Sequence, residues 1–225
     1  MNVQFEVAQK QFCAAAASRK FGKPVDPSQL TSSILRSDTA TNTGQNYTNI
    51  SFNKNKSGAT ATDILLQIND SFIAYGIRLS AKKLTATPTD ALHAKAQEFT
   101  YPNTFVFDGT AEVTTIFGLW NATISFNQNT DVAFPKIWTG DLKFSPDSQY
   151  GSQTGINATP AYSRVLTDSK NSPNYGFFGI EPLLMKGTDQ LNATLNLAAA
   201  LDLTETNEYN FFTISFKGYL ISGLS

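Results

Sequence analysis

Chemistry in this chain would have to come from carboxylates, because the other reactive side chains are nearly missing. There is one histidine, His93, and one cysteine, Cys13. A single histidine excludes a three-histidine zinc site, and a single thiol excludes an internal disulfide. A Cys13–His93 nucleophilic pair would require two unrelated segments to meet. His93 sits in Asp90-Ala91-Leu92-His93-Ala94, which reads as a surface or loop segment. Paired acids are different: glycosidases built on β-sandwiches cleave with two carboxylates and need no histidine. The acids on expected strands and turns are Asp63, Asp108, Glu112, Asp141, Glu181 and Asp202. No two of them stand at i, i+2 on one strand face, although a pair could still form across strands. Asp108-Gly109 and Gly140-Asp141 are turn signals first. No EF-type calcium loop, phosphate-binding glycine loop or Gly-x-Ser-x-Gly elbow is present. No catalytic, cofactor-binding or metal-ligating residue is therefore assigned. No cofactor and no small-molecule substrate are expected, and the chain is not expected to be an enzyme.

Aromatic side chains are the other resource: 17 Phe, 8 Tyr and 2 Trp. Trp120 lies on the apolar phase of its strand and reads as core. Trp138, between Pro135 and Gly140, is open to either reading. Tyr101, Tyr150, Tyr162 and Tyr175 fall in loop-like stretches, where an exposed ring could stack on a sugar or fill a contact between subunits.

The elements that would position these residues are mostly strands. Leu191 to Leu203 alternates apolar and polar residues, a polar turn follows from Thr204 to Tyr209, and Phe212 to Leu220 alternates again. Period-two patterning of that length predicts a closing pair of half-buried antiparallel strands. Upstream, strands are expected at Tyr47–Phe52, at Asp63–Ile68 (Ile64, Leu66 and Ile68 on one face) and through Ile73, Tyr75, Ile77 and Leu79. Others are expected at Thr104–Phe107, Val113–Phe126, Ala133–Phe144 and Gly176–Met185, with Pro135 marking a strand start or an edge. A helical turn or two fits between Thr89 and Phe99. Ser145–Asn174 is a long excursion rich in Ser, Thr, Gly, Asn and Pro.

Residues 1–45 differ. Gln4 to Arg19 suits a short helix ended by Gly22-Lys23-Pro24, and Ser37 to Gly44 reads as a linker. Lys10, Arg19, Lys20, Lys23 and Arg36 against Glu6 and Asp26 give residues 1–36 a net charge of +3. The chain is thus expected to be all-β, an antiparallel β-sandwich of jelly-roll type with a short N-terminal helical or extended arm. Residues 1–45 form the arm and linker, and residues 46–225 a single sandwich domain.

Composition bounds the function. At 225 residues the chain can bury one good core. Its 17 basic and 18 acidic residues nearly cancel, and only 16% of residues are charged, against about 25% in typical soluble proteins. An amide and hydroxyl surface repels its own copies weakly, which suits an assembly subunit or a sugar binder. Residues 1–30 hold no long apolar run, so neither a signal peptide nor a transmembrane segment is expected. The seven Asn-x-Ser/Thr triplets are accordingly read as a by-product of Asn and Thr richness.

Asn69-Asp70-Ser71-Phe72 leading into Tyr75-Gly76-Ile77, then Thr100-Tyr101-Pro102-Asn103, and the closing Glu181-Pro182-Leu183-Leu184-Met185-Lys186-Gly187 with Phe216-Lys217-Gly218-Tyr219-Leu220-Ile221 carry a likeness in overall style. Over residues 46–225 the chain resembles the jelly-roll capsid (coat) proteins of non-tailed icosahedral bacteriophages. The resemblance implies a virion structural protein that self-assembles into an icosahedral shell. It implies partners in copies of itself and other capsid proteins, and an N-terminal arm in weak contact with nucleic acid or an internal membrane. Localisation would be the virion, after synthesis in the host cytoplasm. A coat protein works through its surface, so no site residue carries over. The alternative is a carbohydrate-binding or receptor-binding β-sandwich module of a phage or bacterium.

Overall fold

The computed structural model describes residues 3–40, 47–84, 86–102, 107, 116–144, 176–199 and 209–222. In chain order they form helix α1 (Val3–Phe21), strands β1 (Leu30–Ala40), β2 (Tyr47–Ser51) and β3 (Asp70–Leu84), and helix α2 (Asp90–Lys95). Strands β4 (Ala122–Gln128), β5 (Asp131–Trp138), β6 (Phe178–Lys186), β7 (Leu191–Leu197) and β8 (Tyr209–Ser222) follow. Every strand pairing is antiparallel. One four-stranded sheet, A, has the order β1-β8-β3-β6; the other, B, has the order β2-β7-β4-β5. This is an all-β sandwich with few helices. At one side β1 lies beside β2, where the Ser37 hydroxyl donates to the Ser51 carbonyl at 2.8 Å. The β6 and β5 edges end the two sheets at the other side.

The core lies between the sheets. Phe52, Phe126 and Phe216 meet there with ring centroids 5.1 to 6.1 Å apart, tilted or edge to face, the geometry that aromatic quadrupoles favour. Sheet B reads cleanly: Leu191, Ala193, Leu195 and Leu197 are buried, and Asn192, Thr194 and Asn196 point outward.

Sheet A is covered on both faces, which explains two departures from the expected pattern. First, β7 and β8 do not pair with each other; they lie in opposite sheets. β8 is central in sheet A and buried along nearly its whole length, not on one face only. Second, β3 carries a bulge between Ala74 and Gly76. One extra residue exchanges the two faces of a strand. Phe72 and Ala74 face the core before the bulge, and Ile77, Leu79 and Ala81 face it afterwards. Ile73 and Tyr75, which share the alternation of Ile77 in the sequence, instead pack outward under α1.

Helix α1 makes a second, smaller core. Its Cys13, Ala14 and Ala17 sit against Leu30, Ile73, Leu184, Tyr219 and Ile221. Gly22 at φ 65° stops the helix in the left-handed conformation that glycine adopts without strain. Ser18 then ties the exit, donating to Ala14 O at 2.8 Å and accepting from Val25 N at 2.8 Å. Asp26 and Gln29 close a capping box around the 3-10 turn Pro27–Gln29, which leads into β1.

Other expectations are corrected. Residues 30–40 are no arm or linker: β1 pairs with β8 through eleven register positions, Leu30↔Ile221 to Ala40↔Phe211. The polar run Ser37-Asp38-Thr39 belongs to this strand, with the Ser37 and Asp38 side chains buried and satisfied inside the protein. Asp63–Ile68 makes only two single-residue bridges, Arg36↔Ile64 and Asn53↔Leu66. Leu66 is buried, while Ile64 and Ile68 are exposed. The strand expected from Val113 begins only at Ala122, preceded by a helical turn at 116–119. Most of the strand expected at Thr104–Phe107 (residues 104–106) lies outside the described residues, as do 145–174 and 200–208.

Candidate functional site

The densest chemistry is a buried ionic cluster on the outer face of sheet A. Asp38 of β1 and Lys82 of β3 form an ion pair whose side chains are both 0% exposed. The bulge in β3 puts Lys82 there; without it Arg78, Ser80 and Lys82 would point into the aromatic core. Asp38 Oδ1 accepts from Thr213 Oγ1 at 2.7 Å and from Arg36 Nε and Nη2 at 3.2 and 3.1 Å. Asp38 Oδ2 accepts from Lys82 Nζ, Thr62 Oγ1 and Thr60 Oγ1. A second tier locks the 54–64 segment onto β1. Asp63 accepts from Asp38 N at 2.6 Å, Lys56 Nζ at 2.9 Å and Thr60 N at 2.8 Å. Glu98 joins Arg36 to Arg78 and accepts from the Ser80 hydroxyl at 3.2 Å.

Helix α2 closes this cluster. Thr89 caps it, accepting from Leu92 N at 3.3 Å. Its His93 is not a surface residue as expected but is buried at 5% exposure. The imidazole packs edge-on against Phe211 at 4.6 Å, and its Nδ1 lies 3.9 Å from Asp38 Oδ2 without a hydrogen bond.

The electrostatics follow from these distances. Burial alone would raise the Asp38 carboxyl, but hydrogen bonds from Lys82 and Thr62 and the charges of Arg36 and Lys82 outweigh it. The group is held well below the usual carboxylate range. Burial and the Lys82 charge lower His93, so the imidazole is neutral near pH 7. A permanently ionised acid and a neutral, enclosed imidazole do not make an acid–base pair poised near neutrality. The cluster fixes five segments: β1, β3, β8, residues 54–64 and α2.

The residues singled out by sequence are scattered. Cys13 is buried under α1, where burial raises its thiol to about 11; His93 packs against Phe211 instead, so the two are not brought together. Of the candidate acids only Asp63 enters the cluster. Asp141 is exposed in the 3-10 turn Thr139–Leu142, and Glu181 is exposed on β6. Asp108, Glu112 and Asp202 lie outside the described residues, as do Tyr150, Tyr162 and Tyr175. Trp120 is core, as its phase indicates. Tyr101 is core as well, against expectation, 6.1 Å from Phe99. Sequence reasoning passes over Asp38 and Lys82. The available signal is Lys82 itself: a charge among Leu79, Ala81 and Leu84 in a covered strand requires a buried counter-charge.

An open groove of about 480 Å³ lies at the far end of sheet B, lined by Ser51, Asn53, Lys54, Ile68, Asp189 and Gln190 among others. Its walls are pinned. Asn53 donates to Asp189 O at 2.7 Å and accepts from Leu191 N at 2.9 Å. A Cβ on Gly187 would fall 1.8 Å from Gln67 O, so the β6–β7 turn requires glycine there. Among the described residues no group of three or more His, Cys, Asp or Glu could hold a metal ion. No described helix is long and apolar enough to cross a membrane.

The fold and cluster define a two-sheet antiparallel β-sandwich with a helix-covered sheet. Comparison with family models, curated proteins and solved structures finds no match to this chain.

Proposed function

We propose that this chain is a virion structural protein, a capsid subunit of jelly-roll type that assembles with copies of itself into a closed shell. The observation that carries the reading is the nesting of strand pairs. β1 pairs with β8, β2 with β7, β3 with β6 and β4 with β5. Successive pairs fall alternately in sheet A and sheet B. This nesting supports a reading as one long antiparallel ribbon rolled over itself in the manner of a jelly roll, an architecture found in viral capsid and lectin domains. The step from wiring to shell is one of analogy between folds, and three further features support it.

Charge is scarce, so copies repel one another weakly. The side of the sandwich formed by β5 and β6 carries exposed apolar residues, with Val132 at 66% and Phe178 at 43%. Strand edges of that kind are places where a neighbouring subunit can pair or pack. The opposite side is partly covered by the segment that carries the Ile64 and Leu66 bridges. Helix α1 and the ionic cluster rigidify sheet A, and a rigid subunit loses little conformational entropy on joining a lattice.

Size-exclusion chromatography followed by negative-stain imaging of purified protein tests the reading. Trimers, pentamers or shells are expected, and their copy number would separate a vertex protein from a lattice protein. A single small particle at all concentrations would contradict it.

A further inference from the structure

Charge is divided unequally between the two sheets. β2, β4 and β7 contain no charged residue, whereas every strand of sheet A contains at least one. The outward positions of sheet B form cross-strand rows. Asn196 pairs with Thr123 and Thr123 with Trp138; Asn49 pairs with Thr194 and Thr194 with Ser125; Asn192 pairs with Asn127. The result is a face of amides and hydroxyls across β2, β7 and β4, with one indole at its corner and the exposed Lys136 of β5 beside it.

That indole is held in place. Trp138 is 51% exposed, yet it does not hang freely. Its Nε1 donates to Asn121 Oδ1 at 3.4 Å. Its six-membered ring lies over Gly140 so closely that a Cβ there would come within 2.4 to 2.6 Å of three ring carbons. The chain beneath is locked by Thr139, whose buried hydroxyl accepts from Ala122 N at 2.9 Å and donates to Ala122 O at 3.0 Å. One side of the ring is therefore seated on backbone while much of the rest faces solvent. Burial in the core would have been the ordinary use of so large an apolar surface; here the fold spends a glycine, a threonine and an asparagine on displaying it.

We propose that the outer face of sheet B, with Trp138 as its stacking platform, binds a neutral glycan. A pyranose presents an apolar C–H face that an oriented indole can cover, and a rim of hydroxyls that Asn and Thr side chains can meet as donor or acceptor. Three of the four strands carry no charge and Lys136 stands alone beside Trp138, which suits a ligand recognised by stacking and hydroxyl contacts more than one recognised by its charge. A pre-seated ring loses little freedom on binding. The site shares strand β5 with the edge contacts of the shell reading, Val132 lying opposite Asn127, but Trp138 and Val132 stand at opposite ends of that strand, so their variants test the two readings separately.

The test is titration of the full chain with neutral tetrasaccharides built from glucose, galactose, mannose or N-acetylglucosamine, with sialylated and sulfated counterparts in parallel. Calorimetry and intrinsic fluorescence give the readout; Trp120 is buried, so a ligand-dependent change reports Trp138. At least one neutral tetrasaccharide is expected to bind. Trp138→Ala should weaken it about tenfold or more, and Trp138→Tyr should retain most of the affinity. Gly140→Ala keeps the indole but unseats it, and should weaken binding nearly as much as Trp138→Ala. Circular dichroism establishes that each variant is folded. Binding of none of the neutral glycans, selective binding of the anionic ones, or affinity unchanged in Trp138→Ala would overturn the proposal. So would loss of self-assembly in Trp138→Ala without any glycan binding by the wild type, which would make the face a subunit contact.

Discussion

Asp38 and Lys82 each exist as a buried ion only because the other does. Their carboxylate is saturated by Lys82, Arg36 and three threonines. Removing one partner leaves an uncompensated charge, at about 3–5 kcal/mol. Asp38→Asn and Lys82→Met should each cost about that much in chemical denaturation, and the double variant less than their sum. The same residues set the acid response. The folded-state affinity of Asp38 for a proton lies below its unfolded value, so its contribution is complete above about pH 4 and is lost as pH falls further. His93 is also lowered in the folded state, so the unfolded chain binds its proton first and stability declines below about pH 6.5. His93→Leu should flatten the decline that sets in below about pH 6.5 while leaving the steeper loss at more acid pH. An unchanged profile in that variant would remove His93 from the account. None of this is legible from types and spacing alone. Ser37-Asp38-Thr39 looks like a loop because a hydroxyl and a carboxylate satisfied internally have the same composition as ones satisfied by water.

Elements are more legible than their pairings. The alternation in Leu191–Leu197 and Ala122–Gln128 gives the correct buried face of both strands, because sheet B has one dry side and one wet side. On β8 it again gives the inter-sheet face, Phe212, Ile214 and Phe216, but misses that the other face is buried too, because sheet A is covered on both sides; on β3 it fails because the strand is bulged. The bulge also dictates small residues nearby. A Cβ on Gly218 would lie 2.1 Å from Ile73 O and 2.8 Å from the Phe72 ring. Gly218→Ala should therefore destabilise the protein by about 1–3 kcal/mol, seen as a lower midpoint in urea. At the N-terminus, the reach of β1 replaces the idea of a detachable arm. Deleting residues 2–24 removes α1 and exposes part of its small core, but leaves β1 whole. That protein should fold with reduced stability. Deleting residues 2–36 also removes Leu30 to Arg36 from the edge of sheet A and should abolish cooperative unfolding. Equal stability of the two truncations would contradict the role given to β1.

At the scale of the whole molecule the strands form two antiparallel sheets that face different environments. Sheet A carries the ionic lock, the helices and most of the strand charge; sheet B presents three uncharged strands and, on β5, a seated tryptophan beside the exposed Lys136. The nested order is foreseeable only as a class, since strand counts and loop lengths favour a sandwich while the order itself depends on pairings far apart in sequence. Under the proposed function the molecule would be a subunit joined to its neighbours through the β5 and β6 edges. The measurement that tests it most directly is the mass of the purified protein by light scattering, for the wild type and for Val132→Lys/Phe178→Lys. The account predicts discrete multi-subunit particles for the wild type, falling to the 24.5 kDa single chain in the double variant. A wild type that remains at 24.5 kDa across concentration, or a double variant that assembles unchanged, would contradict it.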